Sequence, residues 1–162
     1  MKSRPIVVLN AIAIVCVAAV LIALLSQHMF DMQPCAWCVF QRLIFLLIAV
    51  TCWLSLLIGR LWPTALRLGA GLITLLGIGG ILAAWYQYSV AAVQFSCDMT
   101  FADRLMTSSG LDAGLPWLFG IFATCMDARV NLLGIEYALW GMGLFALTTI
   151  AAVTAVLSKN PR

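Results

Sequence analysis

Four long apolar runs, separated by connections of very unequal length, set the organisation of this chain. The runs cover about 6–25, 39–59, 66–88 and 137–157, with mixed or polar stretches at 26–38, 60–65 and 89–136. A helix rises ~1.5 Å per residue, so runs of this length span a hydrocarbon layer of roughly 30 Å. The pattern predicts an all-α integral membrane protein, a single four-transmembrane-helix bundle over 1–162. The long connection at 89–136 is expected to carry a short surface helix. Its Leu115-Pro116-Trp117-Leu118-Phe119-Gly120-Ile121-Phe122 stretch is too short to cross, so it is expected to lie on the membrane surface.

Local features refine the spans. Ser26-Gln27-His28-Met29-Phe30 ends the first run without a small-x-small cleavage pattern, so the run reads as a retained helix and not as a secretory signal. Asn10 reads as interfacial and the single His28 as solvated. Pro34 gives a stiff approach to the second run. Gly69, Gly71, Gly77, Gly79 and Gly80 in the third run predict close helix contact, and Trp85, Tyr86 and Tyr88 an aromatic belt at its far end. Gln87, between those aromatics, reads as an interfacial polar residue that has the means to offer a hydrogen bond.

Composition excludes a soluble globule: 64% of residues are hydrophobic, 9% are charged, and the mean hydropathy is +1.08. No basic run with interleaved aromatics occurs, so nucleic acid is not an expected partner. The placement of charge is more informative than its sum of +3. Lys2, Arg4, Arg60, Arg67, Lys159 and Arg162 flank the spans on one side, while all six acidic residues fall on the other with Arg42, Arg104 and Arg129. The positive-inside rule then puts both termini in the cytoplasm and the connections 26–38 and 89–136 outside. In a bacterial inner membrane, outside means the oxidising periplasm, and the lumen of a eukaryotic organelle satisfies the same topology.

The six cysteines divide along the same lines. Cys16 and Cys52 lie mid-span and read as small inert hydrophobes. Cys35, Cys38, Cys97 and Cys125 lie in or at the edge of the outward connections, an even number as thiol pairs require. Cys35 and Cys38 form a Cys-x-x-Cys pair directly before the second apolar run. If Cys38 opens that helix, Arg42 follows one turn later on the same face, a cation beside a reactive thiol at the membrane edge. Spacing leaves several uses open. Haem attachment needs His after the second cysteine, and Val39 stands there. A four-thiolate zinc site usually shows two close pairs, whereas Cys97 and Cys125 are far apart. Structural disulfides are possible, though a two-residue gap closes almost no chain. The remaining use is redox catalysis, one pair exchanging with a protein dithiol and the other delivering electrons to an acceptor in the membrane.

Pro34-Cys35-x-x-Cys38-x-x-Gln41-Arg42 at the head of the second of four spans, with a cysteine pair in the last outward loop, resembles the DsbB family of bacterial inner-membrane thiol-quinone oxidoreductases. Vitamin K epoxide reductase-type proteins share the four-helix idea, but their Cys-x-x-Cys comes late in the chain. The DsbB resemblance covers essentially the whole sequence and implies catalytic roles for all four outward cysteines. Cys97 would be attacked by the thiol of a DsbA-like periplasmic oxidase, with Cys125 as its pair partner. Electrons would pass to Cys35 and Cys38 through an exchange between Cys35 and Cys125. Cys38 would donate to quinone, with Arg42 holding the quinone and favouring the Cys38 thiolate. A DsbA-type oxidase has a potential near about −120 mV, so ubiquinone suits as acceptor and menaquinone leaves less margin. A monomer suffices for this scheme. One departure stands out: many family members carry a basic residue at the outward end of the third span, and Ala83-Ala84-Trp85-Tyr86-Gln87 has none.

Overall fold

The computed structural model describes residues 4–62, 64–93 and 99–157. Among the described residues four helices are long and apolar enough to cross a membrane: α1 (Arg4–Met29), α2 (Ala36–Ile58), α3 (Thr64–Tyr86) and, after the long connection, α7 (Tyr137–Leu157). Helix α1 runs past Leu25 to Met29, and the side chains of Ser26 and His28 bond back to the carbonyls of Ile22 and Leu24 at 2.9 Å each. Helix α2 begins at Ala36, earlier than the apolar run at 39. Cys35 is its N-cap, with extended backbone (φ −88°, ψ 171°) and a sulfur that accepts from the Cys38 N–H at 3.4 Å. Cys38 therefore sits inside the first turn of α2, not ahead of the span. Helix α3 continues without a break into a five-residue π-helical segment, Gln87–Ala91.

The bundle is held by aromatic stacking over glycine. Phe45 of α2 and Phe145 of α7 lie face to face, with ring centroids 3.9 Å apart and planes 3° from parallel. Gly80 of α3 lies against the Phe145 ring, Gly69 against Ser55, and Gly77 against Thr149. Lipid tails are as apolar as the helices, so this close approach and not burial alone drives association. Cys16 and Cys52 are fully buried in the same core. A Cβ on Gly80 would overlap the Phe145 ring, which the Phe45 stack keeps from moving aside, whereas a Cβ on Gly79 meets nothing within 4 Å. Gly80→Ala is therefore expected to destabilise the bundle by about 1–3 kcal/mol and Gly79→Ala to leave it unchanged, as read by thermal unfolding in detergent.

The long connection is more structured than its sequence suggests. Helix α4 (Phe101–Ser108) opens with a capping box, in which Asp103 N–H donates to Thr100 Oγ1 and Thr100 N–H to Asp103 Oδ2. Two single turns follow, α5 (Leu111–Gly114) and α6 (Pro116–Phe119). In the 115–122 stretch Leu115, Trp117 and Phe122 stay exposed, but Phe119 is buried with Val39 of α2 and Met106 of α4. A two-stranded hairpin, β1 (Asn131–Leu132) and β2 (Ile135–Glu136), leads into α7. Its tip, Leu133 and Gly134, takes positive φ at both positions (56° and 82°), as the tightest hairpin turn requires. Arg129 pairs with Glu136 at its base.

Candidate active site

Two backbone contacts decide where the long connection meets the Cys-x-x-Cys pair. The Pro34 carbonyl, with no helical partner, accepts from the N–H groups of Phe122 and Ala123 at 3.0 and 3.3 Å. This docks the segment carrying Cys125 beside the N-terminus of α2. Cys35 Sγ lies 2.9 Å from Cys38 Sγ, and the Cys125 thiol comes near enough to Cys35 to influence its protonation. Cys125 thus approaches the pair from the Cys35 side. Cys97 lies outside the described residues. Among the described residues no group of three or more His, Cys, Asp or Glu has an arrangement that holds a metal ion.

The three sulfurs differ in surroundings. Cys35 is fully buried between the other two, and Cys125 lines a cavity of about 740 Å³ with Met99, Thr100, Asp103 and Phe122. Hydrogen bonding to Cys125 first, then to Cys38, and then burial hold the Cys35 thiol well above its ordinary value of 9.0. A neutral thiol is the form that shares a proton with neighbouring sulfur, so Cys35 stays protonated in the reduced protein. Its alkylation rate is expected still to be rising above pH 9.0, and Cys125→Ala to move the inflection down, as followed by peptide mass spectrometry of reduced protein across pH.

Cys38 faces the opposite way. It lines a second cavity, about 750 Å³, walled by Ala19, Ile22 and Ala23 of α1, Phe45 of α2, and Leu144 and Leu147 of α7. The wall is overwhelmingly apolar, and its few polar side chains, Gln41, Arg42, Gln87 and Tyr137, lie at the same end as Cys38. Helix α2 points its N-terminus here, where oriented N–H groups favour negative charge on sulfur.

Arg42 is buried, with 6% of its surface exposed. One nitrogen donates to Gln27 Oε1 at 2.7 Å and to the Leu118 carbonyl at 3.1 Å, the other to the Ala23 carbonyl at 3.4 Å. The guanidinium thus ties α1 and the long connection to α2. Every one of these acceptors is neutral. Among the described residues no carboxylate pairs with Arg42, so its charge is left to act on Cys38 across the cavity end.

This is a membrane bundle with a cluster of thiols at the head of its second helix, and comparison with known sequences gives it a family. The sequence matches the family described as disulfide bond formation protein DsbB over residues 4–155. The chain belongs to the DsbB family. It is 30% identical over 160 residues to disulfide bond formation protein B of Herminiimonas arsenicoxydans, covering 98% of both chains. The protein of that name from Ralstonia nicotianae is 30% identical over 152 residues, covering 93% of each chain. That of Psychromonas ingrahamii is 33% identical, covering 85% of this chain and 77% of its own. The chain is accordingly a multi-pass membrane protein of disulfide bond formation.

Relative to the sequence reading, the structure brings together Cys35, Cys38, Cys125 and Arg42. It adds Gln27, Gln41, Gln87 and Tyr137. Gln87 is not interfacial but buried, 6% exposed, with its Nε2 donating to Cys38 Sγ at 3.2 Å. A glutamine at the end of an apolar run was the available signal; its direction was not, because the π-helical turn sets it. The indole N–H of Trp37, between the two cysteines, is buried without an acceptor.

Proposed function

We propose that this chain reoxidises a periplasmic thioredoxin-like dithiol oxidase of the DsbA type and passes the two electrons to membrane quinone, from a bacterial inner membrane with both termini in the cytoplasm. The observation that carries the reading is the placement of the Cys35–Cys38 pair between Cys125, which lines one cavity, and an apolar cavity among the spans that Cys38 lines. A soluble dithiol suits the first cavity. An apolar ring with polar oxygens at one edge suits the second, where Arg42, Gln41 and Gln87 cluster at one end.

The steps follow thiol–disulfide exchange. A thiolate of the oxidase attacks Cys97 of a Cys97–Cys125 disulfide, forming a mixed disulfide and releasing Cys125 as thiolate. Cys125 attacks Cys35 of a Cys35–Cys38 disulfide, forming Cys35–Cys125 and releasing Cys38. The second oxidase thiol then attacks its own sulfur in the mixed disulfide, leaving as the oxidised protein and freeing Cys97. Attack by Cys97 on Cys125 restores the loop disulfide and leaves Cys35 and Cys38 as dithiol. Quinone, when bound, accepts two electrons and two protons from that dithiol and closes the cycle. The net change is one oxidase dithiol to disulfide and one quinone to quinol. Arg42 holds positive charge beside Cys38 throughout, favouring the thiolate that must form there and the quinone oxygen that gains charge. Ubiquinone is the expected acceptor.

The test is the absorbance of ubiquinone or menaquinone after reduced DsbA-type oxidase is added to the detergent-purified protein. Continuous quinol production with one oxidase disulfide per quinol is the expected result. No turnover with either quinone would overturn the reading.

A further inference from the structure

We infer that Gln41 and Gln87 form a polarised amide relay that positions a hydrogen-bond donor on Cys38, making Gln87 a positioning residue for the electron-donating sulfur. The inference rests on Cys38 being the sulfur that faces the acceptor. It goes beyond that reading by assigning a neutral hydrogen-bond donor that acts on Cys38 beside the Arg42 charge.

The geometry is one-directional. Gln41 Nε2 donates to Gln87 Oε1 at 2.5 Å, and Gln87 Nε2 donates to Cys38 Sγ at 3.2 Å. Both amides are buried, 7% and 6% exposed, and both line the same cavity as Cys38. A thiolate only accepts, so the amide serving it must present nitrogen. Gln87 then has its oxygen directed away from the sulfur, where Gln41 supplies the donor that fixes this orientation. Without Gln41 the Gln87 amide is free to turn its oxygen toward Cys38.

Two features of the backbone make the arrangement possible. Gln87 is the first residue of the π-helical segment Gln87–Ala91, a widened turn that interrupts the α-helical progression of α3 at this residue. Gly141 of α7 leaves space for Gln41, since a Cβ there would lie 2.9 Å from Gln41 Oε1. The span ends in this way without a basic residue. Arg42 already places one charge here with no carboxylate among the described residues, and a second buried cation would add repulsion and desolvation. Neutral amides supply donors without it. A disulfide sulfur accepts weakly and a thiolate strongly, so the relay favours the state in which Cys38 has been released from Cys35.

The experiment alkylates the fully reduced, full-length protein with iodoacetamide across pH and follows Cys38 by peptide mass spectrometry, for the parent, Gln87→Leu and Gln41→Leu. The relay predicts about tenfold slower alkylation of Cys38 at neutral pH in Gln87→Leu, with the midpoint of rate against pH about one unit higher. Gln41→Leu, which leaves Gln87 in place, is expected to shift in the same direction by less. Mere loosening of the bundle would do the opposite, exposing Cys38 and speeding alkylation. Unchanged or faster alkylation in Gln87→Leu overturns the relay. Because this readout needs neither oxidase nor quinone, a shifted profile in a protein that reduces no quinone would support the relay while overturning the proposed activity.

Discussion

A Cys38→Ser protein is expected to fold as the parent does and to produce quinol at least about a thousandfold more slowly from reduced oxidase. The reason lies in the one-way order of the sulfurs. Cys125 lies on the Cys35 side of the pair, Cys35 is in contact with Cys38, and of these three only Cys38 lines the apolar cavity. Serine keeps the size and a polar atom at that place, so the first turn of α2 and the Cys35 cap are undisturbed. It cannot form a disulfide, and its hydroxyl does not ionise near neutral pH. A protein carrying a Cys97–Cys125 disulfide would then oxidise one equivalent of the partner dithiol and stop, because nothing empties the loop pair. Partner oxidation measured by thiol titration should therefore show a burst of about one equivalent, with quinone absorbance flat. Quinol production at the parent rate would remove Cys38 from the route.

How far the sequence carries the fold depends on which force sets each element. The four spans are legible because a bilayer accepts only segments that satisfy their own backbone and present apolar side chains over some twenty residues. Their ends are less legible. Helix α2 starts at Ala36 because the Cys35 sulfur caps it, and an apolar count that waits for Val39 leaves Cys38 outside its own helix. In the long connection, the apolar stretch at 115–122 draws attention first, yet the longest helix is α4. Its signal was the Thr100-x-x-Asp103 capping box, a local pattern unaffected by hydropathy.

The site divides in the same manner. Cys35, Cys38 and Arg42 stand within eight residues, so helical spacing alone brings them near each other. Cys125 reaches them through Pro34, whose carbonyl is the dock for Phe122 and Ala123, and no spacing rule encodes that contact. Gln27 and Gln87 lie in spans far from Arg42 and Cys38 in sequence, and their roles depend on helix rotation. In Gln87 the rotation is set by a π-helical turn that hydropathy does not register.

Arg42→Met is expected to lower quinol production by about a hundredfold or more, and Arg42→Lys by an intermediate amount. Two separate losses add in the Met protein. The first is electrostatic: Arg42 is a buried cation whose hydrogen-bond partners are all neutral, so its charge is not cancelled before it reaches Cys38 and the end of the cavity. The second is positional: the guanidinium joins the Gln27 amide and the carbonyls of Ala23 and Leu118, and so holds α1 and the Cys125-bearing connection on α2. Lysine restores the charge but has one nitrogen in place of the fork, so it cannot span all three acceptors. The two losses separate experimentally. Limited proteolysis of the 99–136 connection reports docking, and quinol formation from protein with Cys35 and Cys38 already reduced reports the chemical step without Cys125. Faster cleavage is expected in both variants, whereas the single-turnover rate should fall steeply in Arg42→Met and mildly in Arg42→Lys. Equal single-turnover rates in Met and parent would mean that the charge does not reach the chemistry and that Arg42 acts only as the clasp between helices and loop.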